Sequence, residues 1–250
     1  MKQIAFASDF DNTLFFGKEA KPFHEEDLMA IKAFKEKGGL FGVCTGRSES
    51  GVLFPSKGFL DYDFRILATG SYLLDKEGKC FYQNPFSLGE ATLLYENLCR
   101  YPSFSLVVNT GKSLFSSTSS FDGHPPRKEE ERLKRTIRGF SLGCLKEENA
   151  AERKKKLEGS LSFLHAFQNK TFLDIVKRGN SKGEGRKRRK EHLCLDVRAG
   201  RGDSFNDIPL IEEASPSYTF LSSPKEVQAK ADLVLPTLSS ALHDLRNLFS

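Results

Sequence analysis

The chain has 250 residues, of which 38% are hydrophobic and 28% charged, and its formal net charge at pH 7 is +5. This length is enough for a sizeable core and for a catalytic domain with a second domain inserted into it. The composition excludes a membrane-spanning protein, and the apolar N-terminal stretch, interrupted by Asp9, is too short for a signal peptide. We therefore expect a cytoplasmic protein.

The first 74 residues alternate between strand-like and helix-like patterns. Residues 4–7 predict a short buried strand, and residues 40–44 predict a second one. Between them, residues 25–37 carry an apolar stripe at helical spacing and end at two glycines. This alternation predicts parallel βαβ units and an α/β fold with a Rossmann-like parallel-sheet core.

The pattern changes from about residue 75 to residue 177 and then returns to the first type. We predict a core formed by residues 1–74 and 178–250, with an α+β domain of residues 75–177 inserted between these parts. The inserted part has strand patterns at 79–83, 104–108, 163–168 and 172–176, helix patterns at 88–99 and 150–157, and a hairpin turn at 168–171. The returning part has strand patterns at 197–200, 218–221 and 231–235 and an amphipathic helix at 238–249.

Two carboxylates, Asp9 and Asp11, follow the first predicted strand. Open α/β sheets bind ligands at the carboxyl ends of their strands, so this pair indicates metal-dependent phosphoryl chemistry at that edge. Three other segments strengthen the indication. They are a Thr-Gly-Arg sequence at 45–47 after the second strand, a lysine in Ser-Lys-Gly at 181–183, and the acidic cluster Gly-Asp-Ser-Phe-Asn-Asp at 202–207.

These four segments, in this order, resemble the motifs of the haloacid dehalogenase-like phosphatases. Two of these motifs are most similar to those of the Cof-like sugar-phosphatase branch: Asp-Phe-Asp-Asn-Thr at 9–13 and Gly-Asp-Ser-Phe-Asn-Asp-Ile-Pro at 202–209. That branch carries a large α+β cap between its second and third motifs, and the resemblance covers most of the chain. It implies a phosphomonoester hydrolase whose residues 75–177 form a substrate-specificity cap.

The resemblance also implies roles for single residues. Asp9 would attack phosphorus and become an aspartyl-phosphate, and Asp11 would be the general acid and base. Thr45 and Lys182 would bind oxygens of the transferring phosphoryl group, and Gly46 would lend its amide.

Arg47 and Asn206 complete the predicted phosphate-binding residues. Arg47 has two interpretations, a substrate contact or a cap on the following turn.

A Mg²⁺ ion is the cofactor that the resemblance implies. Its ligands would be the Asp9 carboxylate, the Asp11 main-chain carbonyl and the Asp203 carboxylate, an oxygen-only set that suits this metal. Asn206 and Asp207 would either reach the metal through water or hold the other acids in place.

The expected partner is a small phosphorylated metabolite such as a sugar phosphate; the sequence predicts no membrane partner and leaves the oligomeric state open. Within the family, the alternative reaction is that of a phosphomutase or phosphotransferase, which shares the aspartyl-phosphate. A further alternative is a catalytically weakened phosphate- or polyanion-binding protein. It follows from the absence of aliphatic or aromatic side chains in 183–192 and from Arg198 and Arg201, which precede Asp203 where apolar residues are usual.

The basic run 186–190 has two interpretations of its own. It could contact a nucleic acid, or it could be the solvated face of a helix, and we favour the solvated face because no stacking aromatics accompany the run.

Overall fold

The computed structural model describes residues 3–100, 105–117, 136–193 and 197–246. These residues form two β-sheets with helices packed against them. Their strands are β1 (Ile4–Ser8), β2 (Leu40–Cys44), β3 (Phe64–Leu67), β4 (Tyr72–Asp75), β5 (Cys80–Gln83), β6 (Ser105–Asn109), β7 (Leu114–Ser117), β8 (Gly139–Gly143), β9 (Leu164–Asn169), β10 (Phe172–Lys177), β11 (Val197–Arg201), β12 (Ser217–Thr219) and β13 (Leu233–Val234).

Side-chain caps mark the start of two helices. Ser48 caps α2 through its side chain, and Ser87 and Glu90 form a capping box at the start of α3. The α-helices are α1 (Glu25–Glu36), α2 (Glu49–Ser56), α3 (Leu88–Cys99), α4 (Glu147–Ser160), α5 (Lys182–Leu193), α6 (Ile208–Glu212), α7 (Lys225–Gln228) and α8 (Leu238–Arg246), and short 3₁₀ helices span Ala68–Gly70 and Phe205–Asp207.

The first sheet has the strand order β13-β12-β11-β1-β2-β3-β4-β5. Neighbours from β13 to β3 are parallel, and β4 and β5 extend the sheet in antiparallel fashion. The apolar run of β1 is buried on both faces because helices cover both sides of the sheet. On one face Phe6 stacks against Phe41 and Tyr218, and α1 and α8 pack over them. The α/β fold predicted from the sequence is thus confirmed.

The other five strands form the second sheet, which has the order β7-β6-β8-β10-β9 and is antiparallel throughout. One of its faces packs on α3 and α4 around a separate apolar core that includes Leu94, Leu142, Leu157 and Ile175. Its other face turns toward the carboxyl edge of the first sheet. No helix in the described ranges is both long and apolar enough to cross a membrane.

Several elements differ from the sequence prediction. The strand predicted at 79–83 belongs to the first sheet, as β5, so a boundary at residue 74 divides β5 from the sheet that it extends. Helix α2 was missed because Pro55 and Gly51 lie within it, and β8 was missed because glycines form both its ends. The predicted strand start at Phe104 and the helix end at 247–249 lie outside the described residues.

Residues 183–188 at the start of helix α5 carry no apolar side chain, and two glycines bring its backbone close to α6 and to the first sheet instead. A Cβ atom on Gly183 would lie 2.4 Å from the Pro209 carbonyl oxygen, and one on Gly185 would lie 2.7 Å from Ile66 Cγ2. Small residues therefore replace the expected apolar stripe by allowing close backbone packing. The start of α5, which carries Lys182, is therefore packed closely without an apolar stripe.

The basic run that follows is not a solvated face at its start, so that prediction is wrong for Arg186. Arg186 is only 4% exposed and donates to the main-chain oxygens of Leu210 and Arg198. Burial, together with the nearby Arg198 guanidinium, lowers the pKa of Arg186 to about 9. Beyond it, Lys187 pairs with Glu213 at 2.9 Å. The side chains of residues 189 and 190 lie outside the description.

Arg201 is a buried part of the first sheet's core. Its guanidinium donates to the Leu235 carbonyl oxygen at 2.6 Å and to that of Thr237, and it lies 3.4 Å from the centroid of the Phe220 ring. Carbonyl groups at the ends of neighbouring segments thus accept hydrogen bonds from its two terminal nitrogens, while its buried Nε has no partner among the described residues. Arg201 supports the strand that leads to Asp203.

Candidate active site

The centre of the candidate site is an ammonium group held between two buried carboxylates. Asp9 follows β1, Lys182 begins α5, and Asp207 lies in the 3₁₀ helix after β11. Lys182 Nζ lies 2.6 Å from Asp9 Oδ1 and also donates to Asp207 Oδ1. The three residues are at most 4% exposed. Lys182 therefore fixes the orientation of the Asp9 carboxylate.

Asp207 also organises the loop that carries Asp203. Its Oδ2 accepts hydrogen bonds from the main-chain nitrogens of Asp203 and Ser204, both at 3.1 Å, and from Ser204 Oγ at 3.1 Å. Ser204 Oγ in turn lies 2.6 Å from Asn206 Oδ1. A single carboxylate thus connects the lysine to the acidic loop.

The charges of this cluster do not balance. One oxygen from each of Asp9, Asp203 and Asp207 lies within 4.8 Å of the others, and Lys182 is the cation bonded to two of these residues. Burial and the neighbouring Asp207 raise the pKa of Asp9 well above its usual range and that of Asp203 to about 6. Burial opposes the charge on Lys182, but Asp207 and Asp9 outweigh it and raise the pKa of its ammonium group.

The three carboxylates offer the type of ligand atom that a hard divalent cation prefers. The atoms of the cluster are all carboxylate oxygens, and the excess of negative charge is what such a cation would offset. The structure therefore fits Mg²⁺. The side chain of Asp11 is not part of the cluster, and the main-chain role expected for this residue stays a prediction.

Asp11 instead forms a bidentate pair with Arg47. Arg47 Nε lies 2.8 Å from Asp11 Oδ2, and Nη2 lies 2.7 Å from Oδ1. The remaining Nη1 donates to the Gly51 carbonyl oxygen at 2.8 Å, and the guanidinium lies 5.0 Å from the Phe10 ring centroid and 5.2 Å from that of Phe15. Arg47 is thus fixed on three sides and directs the Asp11 carboxylate.

Thr45 and Gly46 lie at the end of β2, beside the cluster. Thr45 is 2% exposed, and its Oγ1 accepts a hydrogen bond from the main-chain nitrogen of Arg47 at 3.2 Å. A cavity of about 770 Å³ opens here between the two sheets. The sequence-predicted residues that line it are Asp9, Asp11, Thr45, Gly46, Arg47, Lys182, Asp203 and Asn206.

The second sheet supplies cavity residues that the sequence analysis missed. Asn109, at the end of β6, donates from Nδ2 to the Gly46 carbonyl oxygen at 2.8 Å, and Asp174 of β10 also lines the cavity. Alternation in β10 places Leu173 and Ile175 in the core and Asp174 on the other face. That signal was readable from the sequence, whereas the approach of this face to the site was not.

Together, the fold and the site define an α/β protein with a cluster of acidic residues at the carboxyl edge of its parallel strands. A family model of haloacid dehalogenase-like hydrolases matches residues 6–240. The chain therefore belongs to the haloacid dehalogenase-like hydrolases, which confirms the resemblance stated above and the expectation of an enzyme.

Solved structures share the fold over nearly the whole chain. A sugar phosphatase of haloacid dehalogenase subclass IIB has a TM-score of 0.80 at 17% identity, with 98% of this chain and 99% of the other covered. A phosphatase from Bacteroides thetaiotaomicron has a TM-score of 0.79 at 20% identity, with 98% and 95% covered. A haloacid dehalogenase-like hydrolase from B. subtilis has a TM-score of 0.79 at 18% identity, with 99% and 100% covered. No curated protein matches the chain significantly.

Proposed function

We propose that the protein is a Mg²⁺-dependent phosphomonoester hydrolase that acts on sugar phosphates or other small phosphorylated metabolites through an aspartyl-phosphate on Asp9. The observation that carries this proposal is the buried arrangement of Lys182 between Asp9 and Asp207, next to Asp203. It combines a positioned nucleophile, a cation for phosphoryl oxygens and an oxygen-only metal site in one cavity.

The metal would be held by the carboxylates of Asp9 and Asp203 and the main-chain carbonyl of Asp11. When bound, Mg²⁺ would neutralise the charge that accumulates between the carboxylates and the phosphoryl group. Asp207 would act on this site indirectly, since its oxygens are engaged by Lys182 and by the main chain of the acidic loop.

The reaction would proceed in two displacements at phosphorus. In the first, an Asp9 oxygen forms a bond to phosphorus, the ester P–O bond breaks, and Asp11 gives a proton to the leaving alkoxide. In the second, Asp11 takes a proton from water, the water oxygen attacks phosphorus, and the Asp9 O–P bond breaks to release inorganic phosphate.

The remaining residues would bind and orient. Lys182 holds Asp9 through Oδ1, which leaves the other carboxylate oxygen for attack. Thr45 Oγ1, the Gly46 amide and the Lys182 ammonium are the candidate donors to the non-bridging phosphoryl oxygens. Arg47 would act as a positioning residue that keeps Asp11 on the leaving-group side of the cavity.

Within residues 75–177, the second sheet and its helices would act as the substrate-specificity cap. The support is that the leaving-group side of the cavity is lined from the second sheet, by Asn109, Ser141 and Asp174 among others. A phosphoryl site binds every phosphomonoester alike, so discrimination between substrates has to come from residues that contact the alcohol part.

The proposal is tested by release of inorganic phosphate from a panel of sugar phosphates, nucleotides and an aryl phosphate, with Mg²⁺ or with a chelator. We expect metal-dependent release that is abolished in Asp9→Asn. The matched control is Asp61→Asn, which changes an exposed carboxylate in the same way. Release by Asp9→Asn at a near-normal rate would refute the nucleophile assignment, and conversion of a sugar phosphate to an isomer without phosphate release would indicate a phosphomutase.

A further inference from the structure

The peptide unit between Gly46 and Arg47 is hydrogen-bonded at both of its ends. Its carbonyl oxygen, on Gly46, accepts a hydrogen bond from Asn109 Nδ2 at 2.8 Å, and its nitrogen, on Arg47, donates to Thr45 Oγ1 at 3.2 Å. Because a peptide unit is planar, these two bonds together fix its rotation and the direction in which the chain continues to the Arg47 side chain. One of the two bonds comes from the second sheet.

The turn that joins β6 to β7 holds the chain just beyond Arg47. The main-chain nitrogen of Glu49 donates to the Gly111 carbonyl oxygen at 2.6 Å. The nitrogen of Ser50 donates to the Lys112 carbonyl oxygen at 3.0 Å. The first amides of a helix have no partner within the helix, so this turn satisfies two such donors of α2. Arg47 therefore lies between two points at which the first domain's chain is bonded to the second sheet.

The side chain of Asn109 is itself fixed by its surroundings. It is 7% exposed, and its Oδ1 accepts a hydrogen bond from the Gly111 nitrogen at 2.7 Å, which directs the amide nitrogen to Gly46. The Asn109 carbonyl oxygen accepts from the Arg138 nitrogen at 2.8 Å, and the Arg138 guanidinium lies 4.0 Å from the Tyr72 ring centroid in β4. Asn109 is thus a rigid connection between the two sheets.

The side chain that follows this peptide unit is the one that directs Asp11. Arg47 binds the Asp11 carboxylate through Nε and Nη2, and both hydrogen bonds have to stay aligned for the pair to remain bidentate. A rotation of the peptide unit before Arg47 would shift its Cα atom and disturb that alignment. A change at Asn109 would therefore reach the Asp11 carboxylate through Arg47.

We propose that Asn109 is a positioning residue for proton transfer: it fixes the peptide unit before Arg47 and thereby holds the Asp11 carboxyl group where it protonates the leaving oxygen. This inference rests on the proposed phosphatase activity and adds to it a residue of the second sheet that acts through Arg47. The proton passes from Asp11 to the leaving oxygen as the ester P–O bond breaks, and Asn109 neither gives nor takes a proton.

The dependence of the rate on the leaving group separates this role from a contact with the substrate. Proton transfer matters most when the leaving oxygen is strongly basic, and it matters little when the leaving group departs as a stabilised anion. Phenyl phosphate and 4-nitrophenyl phosphate differ in this property but have the same shape around the phosphoryl group. Their kcat/KM values report the steps up to departure of the leaving group. The ratio of the two values does not depend on the fraction of folded protein in a sample.

The test measures this ratio in the wild-type protein, in Asn109→Ala and in Asn109→Leu, which keeps most of the side-chain volume. General acid catalysis contributes about 100- to 10,000-fold, so its partial loss should lower kcat/KM for phenyl phosphate by about 10-fold or more. The value for 4-nitrophenyl phosphate should fall by less than about threefold. In an Arg47→Lys background, Asn109→Ala should change the ratio by less than about twofold, because both substitutions act on Asp11 by the same route.

The matched control is Asn169→Ala. Asn169 borders the same cavity at the end of β9, which β8 and β10 separate from β6. This variant should leave the ratio unchanged, since a lost contact with the aromatic ring changes both values alike. An unchanged ratio in both Asn109 variants, or the full change of ratio in the Arg47→Lys background, would overturn the inference. Absence of Asp9-dependent hydrolysis of any phosphomonoester would instead overturn the proposed function and the inference together.

Discussion

Substituting Gly70 by Ala should impair catalysis from a position that contacts no substrate. Gly70 has a φ of +84°, and an added Cβ atom would lie 1.9 Å from the Ser181 carbonyl oxygen and 2.7 Å from its carbonyl carbon. Ser181 immediately precedes Lys182, whose ammonium group holds Asp9. Because the neighbouring atoms belong to the main chain, no side-chain rotation relieves the clash.

The size of the effect follows from the displacement required. The oxygen has to move by about 1.1 Å to reach the 3.0 Å at which real Cβ contacts begin. A misplacement of about 1 Å in catalytic geometry lowers rates by roughly 100-fold. The positive φ adds a strain of about 1–2 kcal/mol, which in a chain of this size lowers the melting temperature by a few degrees.

The matched control is Gly58→Ala. Gly58 has a φ of +83° but nothing within 4 Å of an added Cβ atom, so this variant carries the backbone strain without the clash. Thermal melts and steady-state phosphate release should show both variants destabilised, with a large loss of kcat in Gly70→Ala alone. Equal activity of the two folded variants would refute the claim that the Ser181 backbone positions Lys182.

Three further predictions follow from single contacts. Arg47→Lys should lower kcat about 10-fold or more in a steady-state assay, with little change in KM, because a lysine cannot form the bidentate pair with Asp11. An unchanged kcat would refute the positioning role proposed for Arg47. Asp207→Asn should lower the free energy of unfolding by about 1.5–3 kcal/mol in urea denaturation, because its amide cannot accept hydrogen bonds from both Lys182 and the main chain of the acidic loop; an unchanged free energy of unfolding would contradict this. Burial raises the pKa of the Cys44 thiol to about 12, so iodoacetamide at pH 8.5 should label Cys44 in urea but not in the folded protein, as peptide mass spectrometry would show; rapid labelling of the folded chain would contradict the burial.

The fold was predictable where local patterns carry it. A strand buried on both faces leaves a continuous apolar run, as at 4–7, and a helix buried on one face leaves an apolar stripe at helical spacing, as at 25–37. The alternation of these two patterns predicts βαβ units. The positions of Asp9, Asp11 and Thr45 around one cavity follow from the same logic, since the ends of parallel strands meet at one edge. Lys182 begins a helix after a strand of the second sheet, so its place in the cavity follows from the family resemblance and not from strand order.

The remaining features depend on contacts between distant segments. The glycines of α5 gave no apolar signal, although their close packing against Pro209 and Ile66 is what anchors Lys182. Arg186 is a charged residue that its sequence pattern predicts to be exposed. It is buried in the structure because carbonyl groups of other elements accept its hydrogen bonds. Asp174 reaches the site through the approach of two sheets, which no local pattern encodes.

The central claim is that Asp9 carries the phosphoryl group during turnover. It is tested most directly by quenching the wild-type protein in acid during steady-state hydrolysis with Mg²⁺ and locating the phosphate by peptide mass spectrometry. The account predicts a hydroxylamine-sensitive phosphate on the peptide that contains Asp9, absent from Asp9→Asn and from samples treated with chelator. Turnover without phosphate on this peptide, or phosphate on another residue, would contradict it.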